Sequence, residues 1–197
     1  MEQKDLVQLR QLQQQLQPVQ PKQQHNLQEE KPKMPRTGKV EKRQVSADPI
    51  YNNPTVTKFI NKLMWDGKKS VAQKAVYGAL GLLKEKGQDP IATFEKALEN
   101  VMPKMEVRPR RVGGASYMVP MEVRGPRRQS LAITWLIMGA RKRTPKETQK
   151  IKNLPLIAAK VAAEIEAAAN GEGAAVGKRE EMNKMAEANK AFAHFRW

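Results

Sequence analysis

The sequence predicts a mainly α fold: a bundle of about six helices with one two-stranded β-hairpin arm protruding from it. Three observations lead there. Apolar residues recur at helical spacing from Pro54 almost to the C-terminus. The stretch that breaks this period, residues 105–123, carries Gly113-Gly114 at its centre, a pair suited to a tight hairpin turn. Sharp punctuation at Gly67, Gly87, Pro103, Pro126 and Asn170-Gly171-Glu172-Gly173 cuts the helical part into pieces of ordinary length.

Bulk composition narrows the function classes. The chain has 197 residues, room for one domain with a core plus tails. Its formal net charge of +16 favours a polyanionic partner, nucleic acid first and an anionic membrane surface second. No apolar run approaches the roughly 18–20 residues a spanning helix needs, so membrane insertion is not expected, and the partner expected is nucleic acid and no membrane. The absence of cysteine excludes disulfides, thiolate zinc sites and cysteine nucleophiles, and fits a reducing compartment. Residues 1–33 carry no serine and four acids, unlike an organelle transit peptide, and no signal-peptide apolar core. The expected location is the cytoplasm.

Residues 1–33 read as a disordered extension, because 11 of them are glutamine and their charges nearly cancel. Leu6, Leu9, Leu12 and Leu16 outline a short helix face, too short to be stable alone. A partner-docking helix is the alternative. A start at Met34 is another, since MPRTGKVEKR opens a new composition. Residues 34–53 form a basic leader, and residues 54–197 the helical domain with its arm at 105–123.

The first helix places Val56, Phe59, Ile60 and Leu63 on one face and is expected to close at Gly67. On the opposite face Lys58, Lys62, Trp65 and Lys69 follow at i, i+4, i+7 and i+11. An RNA surface would turn their mutual repulsion into counterion release. The plain alternative is a solvated lysine face with Trp65 tucked into a neighbour. Ser70 is the expected cap of the second helix, which carries Val71, Ala75, Tyr77, Leu82 and Leu83 and ends at Gly87. Asp89-Pro90 starts the third, with Ile91, Phe94, Leu98 and Val101 as its buried stripe and Pro103 as its stop.

In the arm, a two-residue turn at Gly113-Gly114 sets Val112 opposite Ala115 and Arg110 opposite Tyr117. Pro109 then faces Met118 and Val107 faces Pro120, which puts both prolines on rungs that need no N–H donor. Two prolines fitting one register support it independently. The arm reaches on the order of 25–30 Å at ~3.3 Å per residue. A lone hairpin of that length is marginal, so it must lean on the body or on a partner. One face carries Arg108, Arg110, Tyr117 and Val119, the other Val107, Arg111 and Met118. Arg110 and Tyr117 are placed for a cation–π pair. Arginine also solubilises an edge-rich ribbon, but lysine or glutamate would serve that purpose equally well.

Pro126 opens the fourth helix, with Leu131, Ala132, Trp135, Leu136 and Met138 as its apolar residues. Arg127 and Arg128 stand in its first turn, where the dipole favours acids, and this suggests an external anion. Residues 141–153 read as a basic loop, with Arg141 and Arg143 at its start. An alanine-rich helix over Leu156–Ala169 and a last amphipathic helix over 178–195 complete the bundle.

Enzymatic constellations are missing from the pattern. His25 and His194 are the two histidines, and His194 reads as a packing or RNA-contact residue rather than a base. Gly171, Gly173 and Gly177 loosely echo a dinucleotide loop but follow a helix, not a strand. No G-x-x-x-x-G-K-[ST] loop or acid–base set occurs. A non-catalytic protein without cofactor or metal is expected. A DNA-architectural β-arm protein is the alternative, although its usual apolar wedge at the tip is replaced here by two glycines.

Three stretches carry a family likeness: FINKLMWDGKKSVAQ, GQDPIATFEKALENVMPKMEVRPRRVGGASYMVPMEVRGPRRQSLAITWL and MAEANKAFAHFRW. Together they resemble the bacterial small-subunit ribosomal protein seven family over about residues 34–197. The resemblance implies a helical domain with a β-ribbon arm. It also implies a primary binder of small-subunit (16S) rRNA that nucleates assembly of the subunit head. Such a protein lies at the subunit interface near exit-site tRNA and mRNA, beside ribosomal proteins nine and eleven, with no homo-oligomer expected. Carried over by position, the rRNA-facing residues are Arg36, Lys39 and Arg43 of the leader, Lys58, Lys62 and Lys69, then Arg108, Arg110, Arg111, Arg124, Arg127, Arg128, Arg141 and Arg143. Those near tRNA and mRNA are Gly113, Gly114, Tyr117 and Met118 on the arm, with Arg196 and Trp197 at the end. The extension 1–33, the long TPKETQKIKNLP segment, Asn183 for histidine, Phe195 for tyrosine and Gly177 for lysine depart from the family pattern.

Overall fold

Side-chain caps start two helices and Schellman turns end two others in the computed structural model, which describes residues 44–144 and 154–195. Helix α1 spans Pro54–Leu63; the Asn53 carboxamide caps it, accepting from the Thr55 amide at 2.8 Å. Helix α2 spans Lys69–Glu85 and ends in a Schellman turn. There Gly87, at φ +79°, donates to Lys84, and Gln88 donates to Leu83. Helix α3 spans Pro90–Val101, and the Asp89 carboxylate accepts from Ile91 and Ala92 as expected.

Strands β1 (Met105–Val112) and β2 (Ala115–Glu122) form the antiparallel arm. Its register is the expected one, with Val112 against Ala115, Arg110 against Tyr117 and Val107 against Pro120. Helix α4 spans Gly125–Lys142, α5 Leu156–Ala169 and α6 Ala174–Ala188, followed by a 3₁₀ segment over Lys190–Phe195. The α5–α6 break is a second Schellman turn, with Gly171 at φ +85° donating to Ala168 and Glu172 donating to Ala167.

Helix α5 is the hub and lies against α2, α3 and α4. Its alanines explain the fit: Ala158, Val161, Ala162, Ile165 and Ala168 are buried, and small side chains let three neighbours approach closely. Phe59 of α1 meets Phe94 of α3 edge-on at 5.3 Å, closing the core on the α1 side.

Several expected boundaries and faces move. Helix α1 leaves helical geometry at Met64 (ψ 139°), and Gly67 belongs to the turn beyond it. Helix α2 begins at Lys69, so Ser70 lies inside it, and no side chain caps its start. Val71 and Met138 face solvent, since Ala72, Ala75 and Val76 on α2 and Ile137 and Ala140 on α4 take the inward positions. The last helix begins at Ala174 and gives way to the 3₁₀ segment after Asn189. Helix α4 also reaches Lys142, so Arg141 is helical rather than in a loop.

Candidate nucleic-acid interface

The arm leans on the body. Helix α6 packs on β1, and the 3₁₀ segment packs on β2. Val119 is fully buried, and the Tyr117 ring lies 5.2 Å from both Phe192 and Phe195. Tyr117 is thus engaged by C-terminal aromatics, and the expected cation–π pair with its strand partner Arg110 does not form. His194 packs beside Phe195, and its Nδ1 lies 2.8 Å from the Ala191 carbonyl oxygen. At the tip, Gly113 (φ +59°) and Gly114 (φ +88°) both occupy the left-handed region that the turn demands. Arg111 and Met118 stand exposed beside it.

The arm's root is built around Glu106, which is buried. Its carboxylate bridges Arg108 of the same strand and Arg127 of α4, accepting from Arg127 Nε at 2.7 Å. Arg128 Nε donates to the Pro103 carbonyl at 3.2 Å. The first-turn arginines of α4 therefore have internal partners, and these acceptors offset part of the charge at the helix start. Arg127 nevertheless keeps 52% of its side chain exposed. Arg110, Arg111 and Arg124 make no ion pair among the described residues.

The lysine face expected on α1 is divided by the early helix end. Lys58 Nζ donates to Gln129 Oε1 at 2.8 Å, and Gln129 Nε2 donates to Thr55 Oγ1 at 3.1 Å, which ties α1 to α4. Lys62 is exposed on the last turn of α1, while Lys69 opens α2. Trp65 lies in the connecting turn and is 67% exposed, not tucked into a neighbour. The guanidinium of Arg141 sits 5.1 Å from its ring centroid, and Arg141 Nη2 donates to the Leu63 carbonyl at 3.2 Å. Arg143 turns inward: its Nε meets the Glu164 carboxylate at 2.6 Å, and Glu164 is 1% exposed. Arg36, Lys39, Arg43, Arg196, Trp197 and most of the TPKETQKIKNLP segment lie outside the described residues.

Sequence reasoning missed the carboxylates that organise these cations. Asp48 is buried in the leader and accepts from the Ile50 and Tyr51 amides and from the Tyr77 hydroxyl at 2.7 Å. Burial, reinforced by a hydrogen bond to Asp48, pushes the Tyr77 phenol up to about 12. Glu164 also accepts from the Ala175 amide at 3.0 Å, capping the first turn of α6. The available signal was an acid at an apolar position: Glu106 between Met105 and Val107, and Glu164 between Ala163 and Ile165.

A helical body with a basic hairpin is thus in place when the chain is compared with known proteins. Residues 35–190 match the family model described as ribosomal protein S7p/S5e. The chain belongs to this family. It is 58% identical over 165 residues to the small ribosomal subunit protein uS7 of Thermoanaerobacter sp. (strain X514), covering 83% of this chain and all of that protein. The uS7 proteins of Caldicellulosiruptor bescii and Moorella thermoacetica are each 56% identical over 165 residues, with the same coverage. Within the S7p/S5e match lie the arm, its Glu106 root and all of α1 to α6. Among the described residues, no helix is long and apolar enough to cross a membrane.

Proposed function

We propose that this chain is a structural protein of the small ribosomal subunit that binds rRNA through the cations around its arm and α4. The observation carrying this reading is the division of charge. Glu106 and Glu164 engage Arg108, Arg127 and Arg143, while Arg111, Arg124, Lys62 and Lys69 stand exposed and Arg110 half-buried, without ion pairs among the described residues, on a chain of net charge +16. Such cations bind phosphates without reading sequence, and selectivity follows from RNA shape and 2′-hydroxyls. Family membership and the uS7 relatives support the ribosomal setting, and with it a cytoplasmic location.

In the finer form of this reading, the protein is a primary 16S rRNA binder that nucleates the subunit head. Arg36, Lys39 and Arg43 extend the rRNA surface into the leader, and Arg108, Arg127 and Arg141 add exposed guanidinium edges at the root and on α4, with the half-buried Arg128 beside them. The Gly113-Gly114 tip, with Tyr117, Met118, Arg196 and Trp197, faces exit-site tRNA and mRNA. Ribosomal proteins nine and eleven are its neighbours. Competition binding at fixed salt tests the proposal. Transcripts of small-subunit rRNA head sequence should displace duplex DNA and large-subunit rRNA fragments at equal nucleotide concentration. Equal affinity for all three would overturn it and favour a general nucleic-acid binder.

A further inference from the structure

The turn between α1 and α2 carries Trp65, the one large aromatic side chain exposed among the described residues. Trp65 is 67% exposed, whereas Trp135 is 7% exposed. The turn holding Trp65 is well determined by its backbone. Asp66 (φ +50°) and Gly67 (φ +71°) are both left-handed, and Lys68 donates back to the Trp65 carbonyl at 3.0 Å. Arg141 reaches across from α4, anchored on the Leu63 carbonyl, with its guanidinium 5.1 Å from the indole centroid. Beside the ring lies an open recess of about 190 Å³ whose lining is almost wholly apolar, with Val71, itself 54% exposed, on its wall.

The surroundings are cationic. Lys62, Lys68 and Lys69 are exposed on the same short stretch, and Asp66 is its lone acid. An apolar ring, a guanidinium plane and flanking ammonium groups suit a ligand with flat faces and phosphates together. We propose that Trp65 and Arg141 form a stacking platform for an unpaired RNA nucleobase, with Lys68 and Lys69 taking the phosphates alongside. Stacking on an aromatic or an arginine plane is a general mode of recognising single-stranded RNA. A protein partner would also cover Trp65, but so basic a rim favours the polyanion. This inference rests on the rRNA-binding reading and names a contact within it.

The test uses full-length protein and a transcript of the small-subunit rRNA head. Trp65→Ala should lower affinity about 5- to 100-fold, and Trp65→Phe, which keeps a flat ring, should lower it less. Both variants should melt with the wild type, because Trp65 lies outside the core. RNA should quench tryptophan emission of the wild type more than that of Trp65→Phe, since Trp135 and Trp197 are common to both. Wild-type affinity of Trp65→Ala, with equal quenching in wild type and Trp65→Phe, would overturn the platform while leaving rRNA binding intact. Quenching of Trp65 that appears only when other small-subunit proteins are added would also overturn it, in favour of a protein contact. Failure of the wild type to bind the transcript would instead remove the rRNA-binding reading itself.

Discussion

Three buried carboxylates do much of the organising at the scale of single residues. Glu164 is held by Arg143 and the Ala175 amide, and a Cβ on Gly139 would sit 2.5 Å from its Oε1. The carboxylate cannot easily retreat, so Gly139→Ala should cost about 1–3 kcal/mol in urea denaturation. Arg143→Met leaves Glu164 without its cation in the interior and should cost about 3 kcal/mol. Its effect on RNA binding should be small beside that loss, because Arg143 points inward. Asp48 and Tyr77 add a pH dependence. The folded phenol titrates at about 12, above its ordinary value of 10.0. Its contribution to stability is therefore complete below pH 10 and lost as pH rises from 10 toward 12. Absorbance titration near 295 nm should show a tyrosine ionising late, and Asp48→Asn should bring that step to lower pH. These acids were hard to read from sequence because each also has a partner far along the chain: Arg127 for Glu106, Arg143 for Glu164 and Tyr77 for Asp48.

The secondary-structure elements divide by how local their signals are. The hairpin register was legible because Gly113, Gly114, Pro109 and Pro120 each constrain the backbone within a few residues. Asp89-Pro90, Gly87 and Gly171 set their helix ends for the same reason. The end of α1 was not legible, since the helical period of Lys58, Lys62, Trp65 and Lys69 continues through a turn that leaves the helix at Met64. Nor was the lean of the arm, which depends on Tyr117 meeting Phe192 and Phe195 about 75 residues away in the chain. That contact carries a prediction. Phe192→Ala should loosen the C-terminal segment from β2 and speed amide exchange along Ala115–Val119 several-fold, while α5 amides keep their protection. Unchanged exchange in the arm would mean that β1–β2 pairing and α6 suffice to hold it.

At the scale of the molecule, the described residues form a helical scaffold that keeps some of its cations neutralised and leaves others without an ion pair. Belonging to the S7p/S5e family places the body in a ribosomal context, and the match begins at residue 35, after the glutamine-rich extension. Overall charge, helix content and the arm were all readable from the sequence. Which arginines are internally paired was not, because pairing is a property of packing. That distinction bears directly on the central claim, that the unpaired cations of arm and root bind rRNA phosphates. The most direct test is the salt dependence of affinity for a small-subunit rRNA head transcript, comparing wild type with Arg110→Gln/Arg111→Gln/Arg124→Gln. Each lost phosphate contact lowers the log–log slope by roughly 0.7–0.9. The account predicts a slope shallower by about 2–3, weaker binding at low salt and an unchanged melting temperature. A triple variant with wild-type affinity and wild-type slope would contradict it.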